Sequence, residues 1–132
     1  MTPLAGALSG RTILVIEDNY LVAEQMRDIL VRQGCAVVGP AGRVAKGLEL
    51  VRQSATLDGA VLDINLGNEP CFPIAFALLE RSVPFVFVTG YDTRSIIPAP
   101  LAFAPVLAKP LDEHKLVATA AATLILRPSD GM

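Results

Sequence analysis

The stretch TILVIED at residues 12–18 decides how this chain folds. An uninterrupted apolar, largely β-branched run stops abruptly at two acids, Glu17 and Asp18. Such a run shows no alternation between apolar and polar positions, so both faces of the strand must be covered. That is the mark of a strand inside a parallel sheet. The residues that follow repeat differently. Leu21, Val22, Met26, Ile29 and Leu30 recur at helical spacing up to Gly34, a natural stop for a helix.

The same alternation of strand and helix continues along the chain. Residues 35–38 form a second short strand closed by Gly39-Pro40, and Val44, Leu48 and Val51 mark a second helix. Residues 59–62 (GAVL) make a third strand that ends at Asp63, and residues 65–70 have the Asn, Gly and Pro content of a loop. Ile74, Ala75, Leu78 and Leu79 give a third helix. Residues 85–88 form a fourth strand ending at Thr89-Gly90, and residues 105–108 a fifth ending at Lys109-Pro110. Leu116, Val117, Ala120 and Leu124 define the last helix, with Asp112 as its N-cap. Between the fourth and fifth strands, Pro98, Pro100 and Pro105 leave room only for a short helix over residues 93–97. The expected architecture is a single (βα)5 domain, a doubly wound α/β fold. Its bounds are residues 11–127, with a flexible tail at 1–10 and another at 128–132.

Composition narrows the function. At 132 residues the chain fits one domain. It is 52% hydrophobic, with a mean hydropathy of +0.51, yet has no apolar run long enough to span a membrane. A formal charge of −2 and a pI near 5.3 leave no electrostatic footprint for nucleic acid, so a DNA-binding output domain is not expected. The first ten residues lack the basic start and apolar block of a signal peptide. Cys35 and Cys71 lack metal-ligand spacing and read as free thiols in a reducing cytoplasm.

In open α/β sheets, ligands bind outside the carboxyl ends of the strands. This sequence places Glu17 and Asp18 after the first strand, Asp63 after the third, Thr89 after the fourth and Lys109 after the fifth. Three carboxylates offset by one ammonium leave a net double negative charge, which a divalent cation would neutralise. Hard oxygen donors, few in number, suit Mg²⁺ better than Ca²⁺, which takes more ligands. Beside such a cation Asp63 can act as a nucleophile towards phosphorus, forming an aspartyl-phosphate. Glu17 and Asp18 would hold the metal, with the backbone carbonyl of Asn65 as a further ligand. Lys109 and Thr89 would take phosphoryl oxygens.

Each residue alone has an ordinary reading. An Asp after a strand often makes an Asx-turn, and Asp18 before a helix could serve as a cap. Thr89-Gly90 could be a plain turn and Lys109 a solvated lysine. Taken together, complementary groups at four separate strand ends favour a site.

Those residues carry a resemblance. ILVIEDN (13–19), VLDINL (61–66), Thr89-Gly90 and Lys109-Pro110 resemble the receiver domains of bacterial response regulators, over about residues 11–126. The resemblance implies a flavodoxin-like sheet in the order 2-1-3-4-5 and Mg²⁺. It also implies a phosphohistidine donor on a histidine kinase or histidine phosphotransfer protein, and a cis peptide before Pro110. PFVFVTGY (84–91) is similar to the single-domain receivers named for a Phe-Ala-Thr-Gly motif, the FATGUY group. Those have a reduced fourth helix and act in stress-response phosphorelays. The implied protein is a cytoplasmic single-domain regulator, active by protein contact or onward phosphotransfer. Its enzymology would be confined to its own phosphorylation and dephosphorylation, and its oligomeric state is left open between monomer and weak dimer.

Two departures stand out. Receivers often carry an aromatic switch residue three positions before the lysine, and here that position is Val106, with Tyr91 the nearby aromatic alcohol that could substitute. The residue after Thr89 is Gly90, which would leave the phosphoryl site open. Three other readings compete: an interaction module that takes no phosphate, an aspartyl-enzyme hydrolase of the haloacid-dehalogenase type, and a flavodoxin. The full acid–Thr–Lys set argues against the first. Asn65 stands where the hydrolase needs a second acid, and no Ser/Thr/Gly-rich phosphate loop follows the first strand.

Overall fold

The computed structural model describes residues 6–90 and 96–125, with the side chain of residue 125 excepted. Strand β1 (Thr12–Ile16) is the second strand of a five-stranded sheet. It pairs in parallel with β2 (Ala36–Ala41) on one side and β3 (Gly59–Asp63) on the other. Strands β6 (Phe85–Thr89) and β7 (Val106–Ala108) follow, also parallel, giving the order β2-β1-β3-β6-β7. Two short strands between β3 and β6, described below, lie outside this sheet. The order is therefore the expected 2-1-3-4-5.

The unbroken apolar run of β1 is explained by what lies on its two faces. Leu14 and Ile16 enter one buried cluster with Leu62, Phe85, Phe87, Ile74 and Leu78. Ile13 and Val15 enter the other with Val61, Val88, Met26, Ile29, Leu30, Leu116 and Leu124. Helices α2 (Val44–Gln53) and α3 (Phe72–Glu80) cover the first face, and α1 (Tyr20–Arg32) and α4 (Glu113–Ile125) the second. Each fully buried aliphatic side chain contributes about 1.5–3 kcal/mol. The two-sided sheet is thus where most of the stabilisation sits.

Three local features differ from the sequence reading. The segment 65–70 is a two-stranded antiparallel hairpin, β4 (Asn65–Leu66) and β5 (Glu69–Pro70), rather than a loop. Gly67, at φ +70, makes its turn. Strand β2 does not stop at Gly39-Pro40 but continues to Ala41, whose carbonyl accepts from the Glu17 N–H at 2.9 Å. An edge strand can hold a proline because one side of its backbone needs no ladder partner. Residues 6–10 are not free: Leu8 is 2% exposed within the α1/α4 cluster, and the Gly10 N–H donates to the Gly34 carbonyl at 2.9 Å. In keeping with the expected reduced fourth helix, four α-helices are found among the described residues. The crossover from β6 to β7 carries a 3₁₀ turn at Ala99–Leu101. The short helix expected over 93–97 falls mostly on residues outside those described.

Candidate functional site

The carboxyl edge of the sheet brings most of the expected residues together. Glu17 follows β1 and is 3% exposed; Asp63 ends β3 and is also 3% exposed; Thr89 ends β6 and is 4% exposed. The Lys109 N–H donates to the Thr89 carbonyl at 2.8 Å, so the lysine is held at the sheet edge by backbone pairing. Carboxylate oxygens of Glu17, Asp18 and Asp63 all lie within 4.8 Å of one another. Asp18 is exposed, and it does not cap α1. Asn19 does, its Oδ1 accepting from the Val22 N–H at 3.1 Å. Glu17 Oε2 accepts from the Asn19 N–H at 3.1 Å, which fixes the turn between β1 and α1.

Lys109 bridges the acids. Its Nζ donates to Glu17 Oε2 at 3.2 Å and to Asp63 Oδ2 at 3.4 Å, and lies 3.0 Å from Glu17 Oε1. That Oε1 has no hydrogen-bond partner of its own although it is buried. The Asn65 N–H donates to Asp63 Oδ1 at 3.3 Å. Burial pushes the Asp63 carboxyl up to about 8, helped by hydrogen bonding and charge from Glu17 and opposed by Lys109 and the Asn65 N–H. Below that value, and without a cation, the Asp63 carboxyl holds its proton. For Lys109, burial pulls the ammonium down, but its bond to Glu17 and the two carboxylate charges outweigh this and raise it. Cys71, buried beneath this edge, is pushed up to about 12 by burial and then by Asp63, so it is an inert thiol.

Three clustered carboxylates, two of them buried, fit a hard divalent cation bound by oxygen. Around them opens a cleft of about 600 Å³ lined by Glu17, Asp18, Asn19, Asp63, Asn65, Gly67, Gly90 and Lys109. Asn19 and Gly67 were not among the sequence candidates. Their signal was positional, since each lies within two residues of a candidate at the same sheet edge. Val106 lies away from the cleft, half-buried against the α2/α3 core and opposite Phe87 in the sheet. Tyr91 lies outside the described residues.

A doubly wound sheet in this order, with acids and a lysine converging at its carboxyl edge, is the architecture of a receiver. The chain belongs to the response regulator receiver domain family, which it matches over residues 13–121. It is 28% identical over 121 residues to the regulatory protein VirG of Rhizobium rhizogenes, covering 89% of this chain and 49% of that one. The chain thus spans about half the length of the curated relatives it matches. Among solved structures it is similar to SdrG of Sphingomonas melonis Fr1. Their identity is 35%, the TM-score is 0.75, and the match covers 90% of this chain and 98% of that one. The receiver domain of PhyR from Erythrobacter litoralis shares the fold at a TM-score of 0.81 and 23% identity, with 93% and 96% covered. Among the described residues, no helix is long and apolar enough to cross a membrane.

Proposed function

We propose that this chain accepts a phosphoryl group on Asp63 from a phosphohistidine, in two-component signalling, with Mg²⁺ bound. The observation that supports this reading best is the meeting of Asp63, Glu17, Asp18 and Lys109 at one sheet edge beneath an open cleft. Glu17, Asp18, Asp63 and the Asn65 backbone carbonyl would hold the cation. When bound, Mg²⁺ supplies charge neutralisation for the phosphoryl oxygens and the crowded carboxylates.

An Asp63 oxygen attacks phosphorus in line; the O–P bond forms as the P–N bond to the donor imidazole breaks. The imidazole keeps the electron pair and takes a proton from solvent. Lys109 moves its hydrogen bond from the Asp63 carboxylate to a phosphoryl oxygen, and the Thr89 hydroxyl donates to another. Gly90, with no side chain, leaves the phosphoryl group open to a partner or to water. Attack of water at phosphorus later restores the carboxylate and releases phosphate. The chemistry is confined to the chain's own phosphorylation and dephosphorylation.

The donor in this reading is a histidine kinase or a histidine phosphotransfer protein in the cytoplasm, and the signal leaves by protein contact or onward transfer. A role in a stress-response phosphorelay rests on the resemblance carried by PFVFVTGY (84–91). Incubation with acetyl phosphate and Mg²⁺, read by intact mass, tests the reading. Wild type gains one phosphoryl group, chelation abolishes the gain, and Asp63→Asn gains none. Labelling of neither protein would instead favour an interaction module that takes no phosphate.

A further inference from the structure

Glu69 makes a bond that its place in the hairpin β4–β5 does not explain. Its Oε2 accepts from the backbone N–H of Val44, the first residue of α2, at 3.1 Å. Arg43, at the N-cap position of α2, offers no side-chain cap, and the first turn carries no acid of its own. The helix therefore takes its N-terminal acceptor from a segment 25 residues further along the chain. A carboxylate is well suited there, since it meets both the unpaired N–H and the positive end of the helix.

Two more contacts show what this bond connects. Gly42, just before α2, lies so close behind Asp18 that a Cβ on it would meet the Asp18 Cα at 3.0 Å. The start of α2 is thereby registered against Asp18. On the other side, Glu69 stands opposite Leu66 in the hairpin and Pro70 opposite Asn65, the residue that lines the cleft and donates to Asp63. At the far end of α2, the Arg81 guanidinium donates to the carbonyls of Val51 and Ser54. Helix α2 is thus held at both ends by the segment that follows Asp63.

The geometry points to Glu69 as a positioning residue. Its bond to Val44 sets the spacing between the Asp18 and Asn65 walls of the cleft, and so the affinity of the site for a divalent cation. This inference rests on the proposed Mg²⁺-dependent reading of the same site.

The test is calorimetric titration of the whole chain with Mg²⁺, together with amide hydrogen exchange of the metal-free protein across residues 64–71. Glu69→Ala is expected to weaken Mg²⁺ binding about three- to tenfold and to speed exchange in the hairpin. Glu69→Gln keeps an acceptor oxygen and is expected to stay within about twofold of wild type. Val44→Pro removes the donor from the other side, and its ring, standing where the N–H was, turns the Glu69 carboxylate away. Proline is well tolerated at a first helical position, and Arg43 before it is already extended at φ −138 and ψ 152. Val44→Pro is expected to reproduce the loss seen with Glu69→Ala, and it carries the test if the alanine variant does not fold. Wild-type affinity in Val44→Pro overturns the inference. Equal losses in Glu69→Gln and Glu69→Ala also overturn it, because charge rather than the bond would then matter. A wild-type chain that binds no Mg²⁺ overturns it as well. One that binds Mg²⁺ but takes no phosphoryl group overturns the proposed function instead, and the ordering of Mg²⁺ affinities still decides this inference.

Discussion

Lys109 Nζ lies 3.4 Å from Asp63 Oδ2, although the two residues sit at the ends of strands that are not neighbours in the sheet. Strand β6 separates them, and the Lys109 N–H to Thr89 carbonyl bond carries the lysine across it. An ammonium held in that way is placed for a group that arrives on Asp63. It also satisfies the acids while none is there.

Replacing the ammonium should therefore cost reactivity more than fold. A charge-assisted hydrogen bond is worth about 1.5–3 kcal/mol, which is about 13- to 160-fold in rate. Lys109→Met is expected to slow labelling by acetyl phosphate and Mg²⁺ by that factor, followed as the growth of the phosphorylated mass. An unchanged rate would show that the lysine does not meet the phosphoryl group.

The raised Asp63 carboxyl has a signed consequence for stability. Its folded value of about 8 stands above the ordinary carboxylate value near 4. Between these limits the metal-free folded chain holds a proton that the unfolded chain has released. The Asp63 contribution to stability is then expected to fall as pH rises from about 4 to about 8, by up to about 1.4 kcal/mol per pH unit. Thermal unfolding in chelator should show this decline, and Asp63→Asn should flatten it. Mg²⁺ added at pH 8 should raise the midpoint, since it binds the folded chain and displaces the proton. A metal-free midpoint that rises over this window would contradict the assignment.

Much of this was legible in the sequence because the fold leaves few alternatives. An apolar run such as TILVI buried on both faces cannot be an edge, and it lies inside the sheet, while the order of the five strands was legible through the resemblance. The acids and the lysine were legible because each ends a strand. What escaped depends on partners far away in sequence. The hairpin at 65–70 has strands of two residues, too short to carry a period, and the Cys71 N–H to Ile64 carbonyl bond closes it. Leu8 is a lone apolar residue among small ones, yet its own carbonyl accepts from the Cys35 thiol and its side chain completes the α1/α4 core. Glu69 reads as a loop acid until α2 is seen to end on it.

Strand β2 offers a test of the backbone. Gly39 has φ +95, and a Cβ there would come within 2.7 Å of the Val15 carbonyl oxygen, a backbone atom that cannot step aside. Gly39→Ala is expected to lower stability by about 2–4 kcal/mol, from the unfavourable φ and the overlap together. Denaturant unfolding measures it. A loss under about 0.5 kcal/mol would mean that β2 is not held against β1 as described.

Gly90 offers a test of the cleft. A Cβ at this position would meet Lys109 Cδ at 3.9 Å, an ordinary contact, so Gly90→Ala should fold normally. On the proposed reading it narrows the mouth through which a phosphoryl group on Asp63 would be reached. The phosphorylated variant is expected to lose its group more slowly than wild type, measured by intact mass against time. Equal decay would remove Gly90 from any role in access.

Whether Asp63 itself carries the phosphoryl group is decided by locating the modification. The chain is labelled with acetyl phosphate and Mg²⁺, reduced with borohydride, which converts an aspartyl-phosphate to homoserine, and mapped by tandem mass spectrometry. Homoserine is expected at position 63, and none in the peptide that carries Glu17 and Asp18. Reduction at another acid, or labelling that persists undiminished in Asp63→Asn, would contradict the assignment to Asp63.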